Sequence, residues 1–137
     1  GAVMAFRILD KLGMPADEIA TVCSAIGNHD ESTAFPVNAV AAALILADKT
    51  DVRRTRVRNR DKATFDIHDR VNYAVEKAST TLDAAGKAVV LDLQLDTGMS
   101  PVIDYFEIFL ERMLLCRKAA EKLGLSFRLV VNGQTVL

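Results

Sequence analysis

Apolar residues recur with two different periods along this chain, and the change from one to the other falls near residue 70. Up to about residue 60 they return every three or four positions, which predicts helices. Met4, Ala5, Ile8, Leu9 and Leu12 make one such stripe, with Arg7, Asp10 and Lys11 facing away and Gly13 as the stop. Pro15 opens a second helix, with Asp17 and Glu18 in the first turn where they complement the helix dipole, and it runs to about Gly27. After the loop NHDESTAF, Pro36 opens a third helix, VNAVAAALILAD, apolar almost all round and therefore expected at the centre of the helical part. The polarity then reverses in ADKTDVRRTRVRNRDK, which reads as a linker or surface extension.

Beyond residue 70 the pattern alternates. Val71 to Leu82 is rich in Val, Tyr and Thr, DAAGK closes a hairpin through Gly86, and Val89, Leu91, Leu93 and Leu95 point to one side of a second strand. Ser100 and Pro101 start a long helix whose seam is Val102, Phe106, Phe109, Met113, Cys116, Ala120 and Leu123, and Gly124 ends it. Phe127, Leu129 and Val131 form a further strand, and Asn132-Gly133 turns the chain into a short last one. The expected architecture is α+β in two parts, a helical region over 1–62 and a β-β-α-β-β unit over 63–137, the latter an antiparallel sheet packed on one long helix.

Two polar residues interrupt the helical stripes. His29 follows Ile19, Val22, Cys23 and Ile26 on the second helix, and Asp48 follows Val37, Val40, Ala41 and Leu44 on the third. A carboxylate at the inner end of so apolar a helix is costly to bury without a partner, and a histidine aimed at the same core is a candidate companion. Together they suggest a metal or phosphate site between helices. For Asp48 the bland reading is a buried salt bridge, and for His29 a complement to the helix C-terminus.

Half of the 137 residues are hydrophobic and 26% are charged, as in a folded globular protein, and a net charge of −1 provides no general attraction for nucleic acid or acidic lipid. No apolar run is long enough to span a bilayer and no signal peptide is visible, so the cytoplasm is the expected compartment and no membrane partner is expected. Cys23 and Cys116 are isolated, consistent with reduced, structural thiols. Positive charge concentrates in Arg53, Arg54, Arg56, Arg58, Arg60 and Lys62. Guanidinium groups suit phosphate, and Arg53 and Arg54, close behind Asp48, are the candidate phosphate binders.

The pair of segments AIGNHDE and AALILADKTD resembles the trailing half of the HD superfamily of metal-dependent phosphohydrolases, over roughly residues 1–55. The resemblance implies an incomplete HD-type helical bundle in which Asp48 is the late aspartate ligand and His29 an additional histidine of dinuclear members. It implies a divalent transition metal of the Mn, Fe or Ni type as cofactor, and a phosphohydrolase acting on a nucleotide or other small phosphorylated metabolite. The family's early histidine and adjacent His-Asp pair precede the region matched. The chain has no histidine before His29, and His68-Asp69 comes too late in the order. Residues preceding Gly1 in a parent protein would have to carry the early ligands, and this chain holds at most half of the shell. The alternative is a non-catalytic dimerisation or interaction module with a vestigial metal site, forming a homodimer through the C-terminal sheet or helix. Nucleic acid is not expected as a partner.

Overall fold

The protein is described by a computed structural model covering residues 1–31 and 33–137; Ser32 of the loop NHDESTAF lies outside the described residues. The fold is α+β. Three helices come first: α1 (Ala2–Lys11), α2 (Ala16–Gly27) and α3 (Ala39–Lys49). Pro36 does not begin α3. Asn38 does, because its side chain can accept a hydrogen bond from the Ala41 amide at 2.8 Å and so satisfy a free donor of the first turn.

The arginine segment forms two short 3-10 turns, Arg54–Arg56 and Lys62–Thr64, and leads into α4 (Ile67–Ala74). Residues 71–74, expected as strand, are therefore helical. The Asp66 side chain caps this helix by accepting from the Asp69 amide at 2.7 Å, a local bond that fixes helix before the Val- and Thr-rich run takes over. His68-Asp69 thus sits in the first turn of α4, and His68 is exposed.

Strands β1 (Val75–Asp83) and β2 (Ala88–Leu95) form the expected hairpin, α5 (Val102–Lys122) crosses over, and β3 (Ser126–Val131) and β4 (Gln134–Thr135) follow. The sheet order is β1-β2-β3-β4. The sheet is mixed rather than antiparallel, since β2 and β3 run parallel. Two adjacent strands joined by one long helix must run the same way if the helix is to span the sheet and return the chain to its starting edge. The turn between β3 and β4 is pinned by Asn132, whose amide group bridges the Leu95 amide at 2.7 Å and the Leu95 carbonyl at 3.0 Å.

The strand faces are as the alternation requires: Val89, Leu91, Leu93, Leu95, Phe127, Leu129 and Val131 are all buried, while Asp92, Gln94 and Arg128 face solvent. One apolar cluster joins these residues to Phe109, Met113 and Cys116 of α5 and to Ala42, Ile45 and Leu46 of α3, so the core runs through the boundary drawn at residue 62. At the other end, α1 rests on α2 and has no buried residue; Val3, Met4, Phe6, Ile8 and Leu12 are all more than half exposed. No helix is long and apolar enough to cross a membrane, among the described residues.

Candidate functional site

The inward face of α3 is not the one that its periodicity suggests. Val37 and Val40 are exposed, and the buried positions are Ala41, Ala42, Ile45, Leu46 and Lys49. The face that meets α5 is turned by one residue, so the side chain carried into the core is Lys49, at 5% exposure, while Asp48 is half-buried beside it. A helix apolar all round offers no polar side to orient it, and packing against α5 decided the matter. Charge is then placed where only pairing makes it tolerable.

Lys49 has that pairing. Its ammonium donates to Asp48 Oδ2 at 2.6 Å and lies 3.3 Å from Glu31 Oε1. The same Glu31 oxygen accepts an ion pair from Nε of Arg112, which α5 presents from the opposite side. The Arg112 guanidinium lies 4.9 Å from the centre of the Phe109 ring, one turn earlier on α5, and this contact helps to hold its plane. Glu31 itself stands on the connection between α2 and α3.

His29 belongs to the same neighbourhood. Its Nδ1 is 2.6 Å from the Ile26 carbonyl. A carbonyl only accepts, so Nδ1 must carry the proton, and in the neutral ring the lone pair is left on Nε2. Partial burial acts to raise the Asp48 pKa, but the hydrogen bond from Lys49 and the positive charges of Lys49, His29 and Arg112 outweigh it and hold the carboxyl below its ordinary range. The charge of His29 thus acts on Asp48 without a hydrogen bond or ion pair between them among the described residues, whereas Asp48, Lys49, Glu31 and Arg112 are joined in a chain of ion pairs. Beneath lies Cys116, fully buried, whose thiol burial pushes up to about 12.

Arg53 and Arg54 are engaged elsewhere. Arg53 Nε pairs with Asp51 Oδ1 at 2.8 Å on the surface. Arg54 donates from Nε to the Tyr73 carbonyl at 2.7 Å, stacks over the Tyr73 ring at 4.5 Å and lies 3.7 Å from Glu76. Lys62 also sits 4.5 Å from that ring, and its hydrogen bond draws the Tyr73 phenol below its ordinary pKa. The arginine segment is thus pinned to α4 and to the start of β1 rather than left as a free linker.

For a metal the donor set is short. Among the described residues no three His, Cys, Asp or Glu side chains converge as ligands would. Asp48 and His29 are suitable donor types, and a backbone bond at Nδ1 is the arrangement that orients a ligating imidazole through Nε2. Two donors do not make a shell, and Lys49 already holds one Asp48 oxygen. No metal-centred step follows from these residues alone.

Two broad concavities lie apart from this cluster. One of about 550 Å³ runs over the open face of the sheet near Glu76, Asp92 and Asn132, and one of about 580 Å³ lies between Arg53 and Thr80. A narrower cleft of about 230 Å³ opens beside Glu31, bounded by Leu114, Leu115 and Lys118 of α5. The charged cluster is the better candidate, because among the described residues it alone combines buried charge, an imidazole and convergent cations. Residues of α5 could not be assigned to it from sequence, since Arg112 looks there like an ordinary surface cation. Comparison of the chain with protein-family models, with curated proteins and with solved structures gives no match.

Proposed function

We propose that the junction of α2, α3 and α5 is part of the active site of a metal-dependent phosphohydrolase that acts on a small phosphorylated metabolite. The observation that carries this reading is that Asp48, a carboxylate on which the charge of a nearby imidazole, His29, acts, shares one cluster with two cations, Lys49 at the end of α3 and Arg112 in the middle of α5. Metal-assisted phosphate-ester hydrolysis draws on both kinds of group. Carboxylate and imidazole suit a divalent metal that can lower the pKa of a bound water, and fixed cations suit the phosphoryl oxygens. The remaining metal ligands would come from outside these residues. What this chain supplies is two donor types, an imidazole oriented by a backbone carbonyl, and two cations that are paired with carboxylates.

Manganese titration of the chain by calorimetry tests the reading. Weak binding that Asp48→Ala abolishes is the expected result. Binding that Asp48→Ala leaves unchanged, or no binding at all, would overturn it.

A second reading has its own support. The apolar residues Val3, Met4, Phe6 and Ile8 of α1 and Leu12 just beyond it are exposed, and β1 presents an open sheet edge. Both features suit an association module. A tight dimer that binds no manganese and hydrolyses no phosphate ester would favour it.

A further inference from the structure

Lys49 and Arg112 reach one oxygen of Glu31 from two different helices. The two cations are the fixed partners in this arrangement. Lys49 is buried on α3 and also tied to Asp48, and Arg112 packs on Phe109 within α5. The anion is the adjustable partner: Glu31 lies on the connection between helices, with 35% of its side chain exposed, at the edge of the cleft that Lys118 lines. Among the described residues Arg112 has no other ion pair.

A carboxylate oxygen between an ammonium and a guanidinium is chemically a stand-in for a phosphoryl oxygen, since both groups form short charge-assisted bonds to either. We propose that Lys49 and Arg112 form a binding site for the dianion of a phosphate monoester, which Glu31 occupies in the unliganded protein and vacates when the phosphate enters. This deepens the phosphohydrolase reading and rests on it for the choice of phosphate among anions. It assigns the phosphate to Lys49 and Arg112 in place of Arg53 and Arg54. With Glu31 swung away, two positive charges face one negative charge, that of Asp48, so the site carries a net attraction for an oxyanion. Asp48 would stand beside the phosphoryl group, where a metal ligand would have to be.

A ligand that must displace an internal competitor binds more weakly by the fraction of time that the competitor is away. Where Glu31 is displaced about a tenth of the time, Glu31→Gln should tighten binding about tenfold. The test is calorimetric titration of the metal-free chain with inorganic phosphate, with acetate as the carboxylate control. Tighter phosphate binding by Glu31→Gln, loss of that binding in Glu31→Gln/Arg112→Gln and only partial recovery in Glu31→Gln/Arg112→Lys are the expected results. Equal phosphate affinity in wild type and Glu31→Gln, or binding indifferent to Arg112, would overturn the proposal. Acetate binding as tightly as phosphate would overturn the assignment to phosphate. Should Arg112→Gln unfold the chain, Arg112→Lys and Glu31→Gln decide the matter between them. Because no metal is present, failure here is separate from failure of the manganese titration.

Discussion

Lys49 is the residue at which charge and packing are most directly opposed, and its substitution separates the two. Only 6% of its side chain is exposed, and its ammonium is neutralised by Asp48 at 2.6 Å and by Glu31 at 3.3 Å. At an effective dielectric near 20, a contact at about 4 Å is worth roughly 4 kcal/mol before desolvation is counted. Removing an ammonium from water costs several kcal/mol even after relaxation, so attraction and desolvation come close to cancelling. Lys49→Met keeps the length of the side chain and removes both terms together. Asp48, more than a third exposed, is then hydrated instead of paired, and Glu31 keeps its ion pair with Arg112. The expected change in stability is within about 1–2 kcal/mol, in either direction. Asp48→Asn/Glu31→Gln does the opposite: it leaves the buried ammonium with hydrogen-bond acceptors but without counter-charge, and should cost about 3 kcal/mol. Against a total stability of about 5–15 kcal/mol for a domain, that loss is easily measured by equilibrium urea unfolding. A larger loss in Lys49→Met than in the double variant would refute the reasoning, because it would mean that the ion pairs stabilise the fold rather than merely neutralise a buried charge.

Two further predictions concern titration and reactivity. Asp48 is held below its ordinary value of 3.8, so it stabilises the fold above that pH and the contribution is lost as pH falls through the depressed value; thermal melts of Asp48→Asn should therefore decline less steeply on acidification than those of wild type, and parallel curves would count against the pairing with Lys49. The buried Cys116, its thiol pushed up to about 12, should resist alkylation at mildly alkaline pH while the part-buried Cys23 reacts, and mass spectrometry of the native protein should find one modified thiol, with two only after unfolding.

The elements whose pattern has a single solution were legible from the residues alone. Alternation in 89–95 and 127–131 placed every inward side chain, and Gly124, with φ of +72°, stops α5 where the pattern ends. The turn at Asn132-Gly133 was equally plain, and Asn132 takes φ of +51° there. The helix at Ile67–Ala74 was not, because an Asp66 cap outweighed the strand preference of Val71 and Tyr73. The direction of β3 relative to β2 was not legible either, since either antiparallel or parallel pairing has the same alternation.

The site divides in the same way. His29 and Asp48 stood out because each is polar on an apolar helix, and that contrast is written in the linear order of residues. Lys49, Glu31 and Arg112 did not stand out, for three different reasons. The face of an all-apolar helix is chosen by its partner, which put Lys49 inside. Glu31 sits in a loop, where no period constrains it. Arg112 is 63 residues beyond Lys49 in sequence, and only the packing of α5 on α3 brings the two cations to one oxygen. Sequence by itself determined which segments are helix or strand wherever periodicity or capping is unambiguous, because those depend on neighbours along the chain. Tertiary structure decided which face of α3 is buried and which charges meet, because burial of a charge depends on what lies across the interface.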